Sequence, residues 1–202
     1  MDFYIAKKVT LGSKLVLAQH GGNYGQHKAH WSTTHEPKIS ERFLTWGFRE
    51  NKKTIPLGII KKIQKVKYDK NSKLILLEIR NRNLFSHALK IDAGAINSKI
   101  YLKELNNFFL NLKDNEIVSK LRMKLHDKDF GLQEKKFFLK TNSKLKFIKS
   151  KKPTKFFYNK SRLIINSYAS SGHLECMASN MPMLILYVHD LNLLKKDIKE
   201  YF

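Results

Sequence analysis

RLIINSYASSGHLECMASNMPMLILY, Arg162 to Tyr187, reads as a buried strand, a tight turn, a short helix and a second buried strand. Leu163-Ile164-Ile165 is apolar and β-rich, and Ser170-Ser171-Gly172 supplies small residues where the strand must turn sharply into a helix starting near Ser171. A helix that begins there leaves backbone N–H groups at its positive end, and a phosphate fits such a place because donors and dipole act together. The serine hydroxyls add further hydrogen bonds. Glu175 stands at i+4 from Ser171, on the same face and roughly 6 Å away, while Leu174, Met177 and Ala178 are expected to face the core. One nucleotide diphosphate then has its phosphates at Ser170 and Ser171 and its ribose hydroxyls at Glu175. The same residues also make an ordinary βαβ unit with a serine cap and a solvated glutamate.

Upstream of this stretch the pattern alternates. Lys73–Ile79 reads as a strand, Ser98–Leu112 as an amphipathic helix burying Ile100, Leu102, Leu105, Phe108, Phe109 and Leu112, and Ile117–Leu125 as a strand. Gln133–Leu139 follows as a helix, Lys144–Ile148 as a strand and Pro153–Tyr158 as a short helix with proline at its first position. Such alternation predicts a doubly wound parallel sheet with helices on both faces. The polar loop Arg80-Asn81-Arg82-Asn83 can bind anions, and Asp127-Lys128-Asp129 has the form of a metal–diphosphate carboxylate pair, though acidic pairs so spaced are common by chance. Lys61–Ser72 is dense in lysine and marks a linker, which divides the chain into residues 1–66 and 67–202.

The N-terminal part begins with an amphipathic helix, Asp2–Leu11, ended by Gly12, and a strand, Lys14–Gln19. His20-Gly21-Gly22-Asn23-Tyr24-Gly25 follows, three glycines in six residues directly after a strand. Glycine permits close backbone approach to a ligand, and His20 stands at the carboxyl end of the strand, where open α/β sheets bind theirs. His20 is therefore a candidate base or phosphate donor, or else a structural histidine in a glycine loop. His27, His30 and His35 lack both the H-x-x-x-H helix spacing and any cysteine partner, so a metal cluster is not expected, and their Ser/Thr/His/Pro surroundings predict a loop closed by Glu36-Pro37. Phe43–Gly47 reads as a short buried strand and Pro56-Leu57-Gly58 as a turn.

With 202 residues, 42% of them hydrophobic, the chain can bury one good core or two small ones. The net charge of +22 invites nucleic acid or an anionic membrane as partner. Yet the charge is nearly all lysine and spread through every segment, whereas bidentate phosphate recognition favours arginine, so solvated lysine faces and no specific nucleic acid are expected. A single cysteine, Cys176, excludes a disulfide framework and fits a reducing compartment. Apolar runs such as Met181–Val188 fall far short of a membrane span, and no signal-peptide core precedes them. These features predict a cytoplasmic protein that can rest against an anionic inner membrane.

Two separated runs, QHGGNYGQHK…HEPKISERFLTWGF within Gln19–Phe48 and INSYASSGHLECMASNMPMLILY at Ile165–Tyr187, resemble a bacterial family of transferases in surface-carbohydrate (lipopolysaccharide-type) biosynthesis. The resemblance implies a GT-B-like architecture, two Rossmann-like domains facing a cleft, with a nucleotide-activated donor held mainly by the C-terminal domain. Ser170, Ser171, Gly172 and Glu175 match the donor-binding turn and helix, and Asn180 and Pro182 the motif that ends it. His20, Gly21 and Gly22 match the N-domain loop, with His20 as base or phosphate ligand and Glu36 as its downstream acid. Arg122 matches a strand that often carries arginine before a cleft loop. Relatives are longer at both ends, which suggests a fragment, and Ser171 stands where the family usually has threonine. The implied activity is transfer of a sugar or phosphate-linked group from a nucleotide-activated donor to a glycan or lipid-linked acceptor, with no tightly bound metal or cofactor. The alternatives are a non-catalytic basic module for nucleic acid or anionic membrane, and an inactive remnant.

Overall fold

The computed structural model describes residues 2–22, 24–28, 31–63, 66, 69, 71–72, 74–78, 95–125, 133–167, 171–186 and 194–200. The chain divides into two compact units, Met1–Ile63 with Asn192–Tyr201, and Gln64–Leu191. Both are built on all-parallel sheets, so the protein is α/β. Ser170, the Arg80–Asn83 loop and the Asp127-Lys128-Asp129 pair lie outside the described residues. Among those described, no helix is long and apolar enough to cross a membrane.

The first unit runs α1 (Asp2–Thr10), β1 (Val16–Ala18), α2 (Trp31–Ile39), β2 (Arg42–Thr45) and β3 (Thr54–Pro56). Its strands lie in chain order, with Leu17 beside Phe43 and Leu44 beside Ile55, and Phe43 is fully buried. Two expectations fail here. Residues 31–39 are helical rather than a loop, with Pro37 inside the helix. Thr33, Pro37 and Ser40 are buried and Glu36 half-buried, a stripe at helical spacing made of polar residues and proline, which a hydropathy pattern cannot register. Thr54–Pro56 forms a strand where a turn beginning at Pro56 was expected, and proline is tolerated because β3 is an edge strand.

The second unit contains β4 (Leu74–Glu78), α3 (Ala95–Asn111), α4 (Asn115–Lys120), β5 (Leu121–Lys124), α5 (Glu134–Thr141), β6 (Lys146–Phe147), a 3₁₀ helix (Thr154–Lys160), β7 (Ser161–Asn166), α6 (Ser171–Ala178) and β8 (Met183–Ile185). Its sheet order is β6-β5-β4-β7-β8. The chain steps outward from β4 to β6, returns to β7 on the other side of β4, and steps outward again to β8, which is double winding. Alternate strand residues feed opposite cores. Leu77 and Ile165 join Tyr101, Leu105, Phe109 and Phe138 from α3 and α5. Leu76 and Ile164 join Tyr158, Cys176 and Met181 beneath the 3₁₀ helix and α6. Helices therefore cover both faces.

Several local expectations are corrected. Ile117–Leu125 is not one strand: residues 115–120 form α4, because Asp114 caps it by accepting from the Glu116 and Ile117 N–H groups and Lys120 pairs with Glu116 across one turn. On α3, Ile100 is 47% exposed and Tyr101 takes its place in the core. Pro153 is the cap of the 3₁₀ helix rather than its first residue. The last strand is a half-exposed edge, not buried. On α6, Met177 and Ala178 are exposed, and His173 and Cys176 face inward instead.

Candidate functional site

In the first unit, the loop after β1 is anchored by Gln19, whose backbone N–H continues the sheet by donating to Leu44 O at 2.8 Å. Its buried side chain donates to Gly21 O at 2.7 Å and accepts from the Trp46 N–H at 2.8 Å, pinning the glycine loop to the end of β2. Gly25 allows the loop to close. Its φ is +73°, and a Cβ there would stand 2.8 Å from the Phe48 ring, so only glycine fits. These constraints seat Tyr24, buried at 4% exposure and stacked on Phe43, beneath His20 and beside Glu36 of α2.

The Tyr24 hydroxyl lies 3.0 Å from both Glu36 carboxylate oxygens and 2.7 Å from His20 Nδ1. Its single proton goes to the carboxylate, and its oxygen sits against the side of the His20 ring, nearer Nδ1 than Nε2. Nε2 lies 3.4 Å from the same oxygen. His20 is 73% exposed at its side chain and Glu36 only 19%. The result is a carboxylate–phenol–imidazole chain with its carboxylate sheltered and its imidazole in the open.

In the second unit, β4 and β7 are the neighbours from which the chain winds in opposite directions, and their carboxyl ends meet where Glu78 pairs with Asn166. Open α/β sheets bind ligands beyond such a switch point. Ser171 opens α6 just past it, with Ser171, Gly172 and Glu175 all half-buried. Asn166 is fully buried. Its Nδ2 makes only a 3.9 Å contact to Met183 Sδ, and its Oδ1 has no partner among the described residues. The far end of α6 is closed by a Schellman motif: the Met181 N–H donates to Cys176 O and the Asn180 N–H to Met177 O, with Asn180 at φ +55°.

The sequence pattern defining the LIC12162 family transferases matches residues 1–202. The chain belongs to that family. No curated protein and no solved structure matches it. Within this LIC12162 family transferase, His20 and Glu36 meet through Tyr24, while Ser171, Gly172 and Glu175 share α6 in the second unit. Arg122 lies on β5 with its guanidinium turned to Ser119 O and Leu121 O at 2.7 and 2.8 Å. Gly21 and Gly22 are half-buried beside His20. Sequence reasoning gave no role to Tyr24, Gln19 or Asn166. The i, i+4 spacing of His20 and Tyr24 within one loop was the available signal.

His173, buried on the inner side of α6, adds a pH dependence. Burial lowers its pKa from 6.5 to about 4. The unfolded chain takes up this proton near pH 6.5 and the folded chain only near 4, so the stability is fully present above 6.5 and falls as pH drops through that window. The difference amounts to about 3 kcal/mol. Urea midpoints measured from neutral pH down to the lower limit are expected to fall more steeply for wild type than for His173→Leu; parallel slopes would exclude this histidine as the source.

Proposed function

We propose that this transferase moves a sugar or a related phosphate-linked group from a nucleotide-activated donor to a bacterial surface glycan or lipid-linked acceptor. The observation that carries the reading is the Glu36–Tyr24–His20 chain, which holds an exposed imidazole in place to act as a general base. In the proposed reaction an acceptor hydroxyl attacks the donor's anomeric carbon. The hydroxyl proton passes to the His20 imidazole, the new C–O bond forms as the bond to the diphosphate breaks, and the diphosphate leaves with the electron pair. The α6 N–H groups at Ser171 and Gly172, with the Ser170 and Ser171 hydroxyls, receive that developing charge, an electrostatic role in which no tightly bound cation is required. Glu175 accepts the ribose hydroxyls. The GT-B-like assignment belongs to this proposal, and the double winding of the second unit supports it.

Donor binding is tested by calorimetry with a panel of nucleoside diphosphates. Wild type is expected to bind at least one of them, and Glu175→Ala to bind it roughly tenfold to a hundredfold more weakly, the loss of hydrogen bonds to a charged acceptor. Unchanged affinity in a variant with a wild-type melting curve removes the donor-site assignment.

A further inference from the structure

Between Glu134 and Glu175 the sequence holds ten lysines, one arginine and no acidic residue. The positive charge is thus not evenly spread. This stretch includes α5, on one face of the second sheet, then the edge strand β6, the connection after it, and the 3₁₀ helix, which packs over β4 and β7 on the opposite face. On α5, Lys135, Lys136 and Lys140 line a groove of about 600 Å³ with Gln133 and Leu139. Lys135 Nζ lies 5.8 Å from the centre of the Phe147 ring, which ties the start of α5 to the end of β6. Lys149, Lys151, Lys152 and Lys155 follow, all exposed. Phe156 stands among them 45% exposed, with Lys152 Nζ 3.9 Å and Lys160 Nζ 5.5 Å from its ring centre.

We propose that the connection after β6, together with the 3₁₀ helix, is the surface by which the protein rests on an anionic phospholipid bilayer. Lysine suits that partner, because an ammonium on a flexible stem needs no fixed donor geometry to meet lipid phosphates, and each one near the surface is worth roughly fivefold in affinity. Phe156 supplies an apolar group at the depth where flanking lysines keep their charges among the headgroups. Nucleic acid fits less well. Base stacking uses open ring faces, and Lys152 lies over one face of Phe156, while Arg162 is the one guanidinium fork between Glu134 and Glu175. The surface requires neither His20 nor the donor turn and stands independently of the transfer chemistry.

The test is co-sedimentation of the full chain with phosphatidylcholine vesicles with and without phosphatidylglycerol, over a salt series. Binding is expected only with the anionic lipid and to weaken as salt rises. Combined substitution Lys149→Gln, Lys151→Gln, Lys152→Gln and Lys155→Gln is expected to weaken it by roughly two to three orders of magnitude. Removing equal charge from the first unit with Lys14→Gln, Lys38→Gln, Lys52→Gln and Lys62→Gln, all exposed, is expected to change it less than about twofold. Phe156→Ser is expected to weaken binding without altering its salt slope. Equal losses in the two lysine variants would reduce the effect to diffuse net charge and overturn the proposal. So would tighter binding of a single-stranded oligonucleotide that depends on the same four lysines.

Discussion

His20→Ala is expected to lower the rate of transfer by roughly 10²- to 10⁴-fold, the range contributed by a positioned general base, while leaving donor affinity as in wild type. His20 is held in the first unit by Tyr24 and Glu36, and the proposed donor residues belong to α6 in the second. His20 is exposed and its ring meets the core only at Tyr24, so its removal is expected to change stability little. Exogenous imidazole is expected to restore part of the rate, which a purely structural histidine would not show. Tyr24→Phe keeps the base but removes the hydroxyl between it and Glu36, so its loss is expected to be smaller. Single-turnover rates with a donor that wild type consumes measure both variants. A His20→Ala rate within a few-fold of wild type would end the role given to this residue.

The largest effect on stability is expected at Phe138. Its side chain is fully buried on α5, with its ring 5.3 Å from Phe109 and 5.4 Å from Phe137, both edge-on, inside the core that also holds Leu77 and Met123. Truncation removes the ring's transfer free energy and leaves a cavity that a close-packed helix–sheet interface fills only in part. Phe138→Ala is therefore expected to cost about 3–5 kcal/mol, whereas Phe156→Ala, at a ring already half in water, costs well under half of that. Urea denaturation followed by circular dichroism compares them. Both tryptophans, Trp31 and Trp46, belong to the first unit, so their fluorescence does not report on this core. A loss below about 1 kcal/mol at Phe138 would mean that α5 is not packed as described.

Alternation of apolar β-rich runs with amphipathic segments is a statement about burial on two faces, and it was enough to determine an α/β chain with a parallel second sheet. The start of α6 at Ser171 was also a local matter, because small residues are written where the helix begins. Other features depended on partners distant in the chain. The polar stripe of α2 became a helix face only because the first sheet was there to cover it, and α6 turned His173 and Cys176 inward where hydropathy favoured Met177. Tyr24 and Glu36 are twelve residues apart and meet only once Gly25, Gln19 and Phe43 have seated the loop. Local sequence sets period, caps and turns because their energies lie within a few residues. Which polar groups converge on one hydroxyl is decided by packing across the fold, and that only the tertiary structure supplied.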